Sequence, residues 1–219
     1  MRQFFDESFP REEQIPRRME VVLRPQPGPF GETVQMTVNG VRAGAPLTDN
    51  GWSETGYRWH DTLHLACAVC LGWSPIFRGL AGFKRRSDPR VDHVEDGGRA
   101  AVADEAIAWM VFCHARTREW YANRPPDAAL LRMVMEMTYG LEVSERTHGE
   151  WRHAITTGLE CLRAVWTNRG GILIGDLRLR TLSFSGQLQG EAEPSGPAAA
   201  PTSAGTGSRL PRRSAGTPA

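Results

Sequence analysis

Apolar and polar positions divide the chain into segments of two different periods. Met19, Val21 and Leu23 alternate in part with Glu20 and Val22. Val34, Met36 and Val38 alternate more strictly with Thr33, Gln35 and Thr37. A period of two is that of a strand with one buried face. Pro25 to Gly31 reads as the loop of a hairpin, and Asn39-Gly40 as a second tight turn. The pattern then turns helical. A first helix is expected from Tyr57 to Leu71, started with help from Glu54 or Thr55 and stopped at Gly72. A short one with Pro75 in its first turn follows over 76–83, then a long, central one from Arg99 to Tyr121. Further helices are expected from Pro125 to Tyr139 and from Thr147 to Asn168. The last carries Trp151, Ile155, Leu159, Leu162 and Trp166 at helical spacing. Ile172–Ile174 and Leu177–Phe184 make a closing strand pair.

The expected fold is therefore mainly α. It is a bundle of about four to five helices with an N-terminal β-hairpin and a C-terminal strand pair. Residues 1–16 form a polar arm, 17–184 the folded domain, and 185–219 a tail. The tail is rich in Gly, Pro, Ser and Ala. Such a composition cannot bury enough apolar surface to offset its ordering entropy, so it is expected to be disordered.

Composition narrows the class without naming a function. A 40% hydrophobic and 23% charged chain of 219 residues is of globular type. A net charge of +1 gives no global attraction to nucleic acid or to a membrane surface. No run reaches the roughly 18 apolar residues of a membrane span, and the N-terminus has no signal-type core, so a cytoplasmic location is expected. Cys67 and Cys70 have C-x-x-C spacing but no second pair. With Cys113 and Cys161 they read as core thiols. No phosphate-binding glycine loop or nucleophile elbow is present.

Candidate chemistry gathers on the first helix. His60 and His64 share a face at i,i+4, and Asp61 faces His64 at i,i+3, directly before the apolar run Leu65 to Leu71. Ionisable groups there must be paired or hold a metal. Two readings stay open: a divalent-metal site, or an internal network in which Asp61 orients His64. Glu95, Asp96, Asp104 and Glu105 supply more carboxylates. If the long helix packs on the first, Glu105 joins Asp61 and His64 around an ion. Otherwise Asp104 is solvated and Glu105 pairs with Arg58 or Arg99. Lys84-Arg85-Arg86, with Arg78 one helix earlier, is either a polyphosphate clamp or a solvated basic face. Trp52 and Trp59 could stack a base, although core packing is the simpler role for them as for the other tryptophans.

Four segments together resemble the C-terminal domain of MazG-like nucleoside triphosphate pyrophosphohydrolases. They are Leu47-Thr-Asp-Asn50, Gly56-Tyr-Arg-Trp-His-Asp61 with His64-Leu65, Leu71-Gly-Trp-Ser-Pro75, and Lys84 to Pro89 continuing through Val94-Glu-Asp-Gly-Gly-Arg-Ala100 to Asp104-Glu-Ala-Ile107. The resemblance covers roughly residues 16–184. It implies a mostly helical domain linked to hydrolysis of NTPs to NMP and pyrophosphate, and a possible homodimer. It also implies a divalent ion: Mg²⁺ or Mn²⁺, with Zn²⁺ possible. On this basis Asp61, His64 and Glu105 are the expected catalytic residues. His60, Glu95, Asp96 and Asp104 complete the candidate ligand set, and Arg58, Lys84, Arg85 and Arg86 would bind the nucleoside triphosphate. The family pattern is E-E-x-x-E on one helix and E-x-x-D on another. Here His64 stands where a glutamate is expected and Ala108 where the aspartate is expected. Those departures favour Mn²⁺ or Zn²⁺ over Mg²⁺. They also leave a non-catalytic nucleotide-sensing or protein-interaction domain as the alternative, as does the expectation that the separate N-terminal catalytic domain is lacking.

Overall fold

A computed structural model describes residues 4–188. The strands do not decorate a helical bundle; they form one five-stranded antiparallel sheet, so the fold is mixed α and β. The strands are β1 (Arg18–Gly28), β2 (Gly31–Val38), β3 (Val41–Leu47), β4 (Gly171–Asp176) and β5 (Thr181–Gly186), in the order β3-β2-β1-β4-β5. The expectation of a mainly α protein fails because β1 pairs with β4. That contact, Val21 opposite Leu173, joins segments about 150 residues apart, and no local pattern encodes it.

The expected N-terminal hairpin is present, with Val21 opposite Val38. Its proline-rich segment is strand rather than loop: Pro25 and Pro27 lie within β1, paired with β2. The pairing of β1 with β4 ends at Leu23, so beyond it one side of β1 is an open edge. A residue without an N–H is tolerated there. Asn39 and Gly40 both take positive φ (49° and 79°), the backbone that a two-residue hairpin turn requires.

The helices are α1 (Asp61–Leu71), α2 (Pro75–Ala81), α3 (Pro89–Val94), α4 (Gly98–Arg116), α5 (Ala128–Met137) and α6 (His148–Thr167). The central helix is α1, all of whose residues are buried. It packs along α6, and both touch β5. At the contact, a Cβ on Gly158 would lie 3.0 Å from Ala66 Cβ and Leu63 Cδ2, so a glycine lets the two helices approach. Thr147 and Glu150 start α6 with a reciprocal capping box. The long helix α4 stops at Arg116 rather than continuing to Tyr121. Glu119, Trp120 and Tyr121 have positive φ, which ends right-handed winding. The turn sets Trp120 against Phe112 and Trp166. The long helix is not buried all round: Val102 is exposed.

Phe4, Phe5 and Ile15 of the N-terminal arm are buried in the main core. Cys67, Cys70 and Cys161 are free and buried, and burial pushes the Cys70 and Cys161 thiols up to about 12. Ser185 and Gly186 belong to β5, and the tail from Gln189 lies outside the described residues. Among the described residues no single helix is long and apolar enough to cross a membrane.

Candidate metal centre

The site forms where the first turn of α1 meets α4. A one-turn 3₁₀ helix, Tyr57–Trp59, precedes α1 and carries Tyr57 and His60 into position. It starts at Gly56, whose φ is +83° and whose Cβ, if present, would fall 2.5 Å from the Trp166 ring. Only glycine satisfies both constraints.

His64 is buried between two carboxylates of α4. Its Nδ1 lies 3.0 Å from Asp104 Oδ1 and its Nε2 3.2 Å from Glu105 Oε2. Asp104 is buried and fixed from behind: its Oδ2 accepts from Ser74 Oγ (2.6 Å) and from the Ile76 backbone N–H (3.0 Å). Burial opposes a charge on His64, but the Asp104 charge and the hydrogen bonds that His64 donates to Asp104 and Glu105 outweigh it and push its pKa up to about 10. Glu105 is held down to about 2, mainly by the His64 hydrogen bond, with further help from the Tyr57 hydroxyl at 3.0 Å from its Oε1.

His60 has the opposite character. Its Nδ1 is 2.8 Å from the Tyr57 carbonyl oxygen, which only accepts, so Nδ1 carries the proton. Burial lowers the pKa of His60, so the ring is neutral and Nε2 presents a lone pair. That lone pair faces Glu105 Oε1 at 3.6 Å and Asp61 Oδ1 at 3.9 Å. His60 Nε2 thus faces two carboxylate oxygens, one of which, Glu105 Oε1, already accepts from the Tyr57 hydroxyl. The Tyr57 ring stacks on His60 at 3.9 Å and holds its orientation.

One ligand atom each from His60, His64 and Glu105 lies within 4.8 Å of the others. An ion about 2.1 Å from four tetrahedral ligands sets those ligands about 3.4 Å apart. The separations of 3.6 Å (His60 Nε2 to Glu105 Oε1) and 3.2 Å (His64 Nε2 to Glu105 Oε2) are of that order, each to a different oxygen of the carboxylate. Two imidazoles and a carboxylate suit Zn²⁺ or Mn²⁺, whereas Mg²⁺ favours six oxygens. Asp104 has three partners, the His64 ring, the Ser74 hydroxyl and the Ile76 N–H, and so fixes the orientation of His64 from behind. Asp61 does not orient His64; it is buried beside His60, and burial raises its carboxyl pKa.

The other candidates are engaged elsewhere. Arg85 is buried, with its guanidinium on Asp96, on Glu142 and on the Phe5 carbonyl. Asp96 therefore belongs to that ion network, and Glu95 accepts from the Glu142 N–H. Lys84 pairs with Asp92 at 3.2 Å, Arg86 is exposed, and Arg58 pairs with Asp49, Glu32 and Glu54. Sequence reading missed Tyr57 and Ser74 as members of the site. Ser74 had a visible signal, since a serine before proline is a helix cap; its second bond, to Asp104, had none.

The model of the MazG C-terminal domain matches residues 1–188. The chain belongs to this family. No curated protein and no solved structure matches it. Within this MazG C-terminal domain, Ala108 sits one turn beyond the cluster, beside Leu63, Ile107, Val111 and Ile155. An aspartate there would face mostly apolar side chains, with Asp104 the one charged neighbour in the void. The acidic pair Asp104-Glu105 meets α1 one turn earlier.

Proposed function

We propose that this domain is a divalent-metal centre serving hydrolysis of a nucleoside triphosphate to the monophosphate and pyrophosphate. The convergence of His60 Nε2, His64 Nε2 and the Glu105 carboxylate carries the metal half of the reading. The substrate class comes from the family resemblance. His60, His64 and Glu105 would hold the ion, and its charge would displace the His64 proton from Nε2 while Nδ1–H stays on Asp104. When bound, such an ion supplies charge to polarise a phosphoryl oxygen and lowers the pKa of a coordinated water. Asp61, whose Oδ1 lies 3.9 Å from His60 Nε2, would accept a proton from an attacking water only in its ionised form, which burial disfavours.

A second reading, a nucleotide-sensing domain without turnover, is favoured by one observation. Arg58 and Arg85 are already paired, and neither Lys84 nor Arg86 contacts the histidine cluster. Two measurements on the full chain separate the readings: metal content after equilibration with Mg²⁺, Mn²⁺ or Zn²⁺, and pyrophosphate release over an NTP panel. Hydrolysis is expected with Mn²⁺ or Zn²⁺ and to be lost in Glu105→Gln. Ion binding without release from any NTP would leave the sensor. Absence of ion binding would end the metal-centred reading.

A further inference from the structure

Glu105 and Tyr57 belong to two features at once. On one side they complete the histidine cluster; on the other they wall an open groove of ≈ 740 Å³ between the start of α2 and the outer face of α4. That volume is in the range of small-molecule sites. The far wall is apolar, made by Ile76, Val102, Ala106 and Trp109. No lysine or arginine lines the groove, and its ionisable groups near the cluster, Asp49 and Glu105, are acids. A polyphosphate finds no basic side chain among the lining residues. A neutral, flat body has much to gain.

Trp109 is a prepared platform. The Tyr57 ring meets it edge-on at 4.9 Å and Phe112 lies nearly parallel at 6.3 Å, so the indole is held from within while half of it stays exposed. An exposed, half-buried indole is costly to leave in water and ready to stack. At the rim, the Asn50 carboxamide oxygen is taken by Thr48 Oγ1 at 2.9 Å, which leaves its NH₂ as a donor. Asp49 is spent on Arg58 and on the Thr55 N–H.

We infer that the groove is a nucleobase subsite: the base stacks on Trp109, Asn50 donates to an acceptor on its edge, and the phosphates run past Tyr57 toward the ion cluster. The inference deepens the proposed function and rests on it for the phosphate end only. It also says how a site without a basic clamp selects a nucleotide: through the base and the ion.

Uncharged nucleosides test it without metal or turnover. Adenosine, guanosine, cytidine and uridine are titrated calorimetrically into the full chain in the presence of a chelator. At least one is expected to bind. Trp109→Ala should weaken that binding on the order of tenfold or more, the scale of a lost base stack, and Trp109→Phe only a few-fold. Zn²⁺ affinity should be unchanged in both variants, and Glu105→Gln should lose Zn²⁺ while keeping the nucleoside. If no nucleoside binds, or Trp109→Ala binds as well as wild type, the subsite is wrong. If instead Trp109→Ala splits a dimer in sedimentation and no nucleoside binds, the groove is covered by a second copy of the chain. Failure of Zn²⁺ binding in wild type would sink the metal reading and leave the nucleoside result standing.

Discussion

His64 and Glu105 stabilise one another, and their titrations bound the pH window in which they do so. Folding raises the His64 pKa from 6.5 to about 10, so its contribution is full below 6.5 and fades as pH climbs toward 10. Folding lowers Glu105 from 4.5 to about 2, so its contribution is full above 4.5 and fades as pH falls toward 2. The pair is therefore strongest between 4.5 and 6.5. Asp104, His60, Asp61 and Tyr57 face the same pair and remain in both proteins when wild type is compared with Glu105→Gln. Urea unfolding of the two metal-free proteins should give the largest stability difference near pH 5.5 and a smaller one at pH 3 and pH 9.5. A difference that is flat across this range would show that the two side chains do not interact as charges. The i,i+4 spacing of His60 and His64 was legible in the sequence because it is a property of one helix. The choice between Asp61 and Asp104 as the partner of His64 was not, because it depends on how α4 docks.

At the scale of elements, Gly56 sets the geometry on which the site depends. Its left-handed backbone turns the chain into the Tyr57–Trp59 segment, and its missing side chain admits Trp166 from α6. Gly56→Ala combines a strained φ with a clash against a packed indole. A loss of about 2 kcal/mol or more is expected, measured as a lower urea midpoint, together with weaker Zn²⁺ binding. Stability within a few tenths of wild type would mean that Trp166 yields easily and that the turn does not depend on glycine. Helix positions were read closely from the sequence where a cap or breaker is local: Gly72, Pro75 and Thr147 fall at the expected ends. The end of α4 was misread because three residues without glycine turn left-handed, and the tryptophan packing that holds them there is tertiary.

At the scale of the whole molecule, a buried ion network joins parts that are remote in sequence. Arg85 links Asp96 and Glu142 to the Phe5 carbonyl, and Arg78 links Asp96 to Asp6 of the N-terminal arm. Breaking one partner of such a network leaves charge buried without compensation. Arg85→Met should cost about 3 to 5 kcal/mol in stability, read by thermal melting, while nucleotide affinity per folded molecule stays unchanged. A stable variant with weakened nucleotide binding would restore Arg85 to the phosphate clamp that its sequence position suggested. By itself the sequence determined the periods of the strands and most helix ends. It also placed two histidines on one helical face and clustered acids near them, because each is a matter of spacing along a short segment. The tertiary structure decided that the strands unite into one sheet, that Arg85 is internal, and that the expected Glu105 lies with both histidines. Those outcomes rest on contacts between segments far apart in the chain, where burial and pairing, rather than local spacing, set the energy.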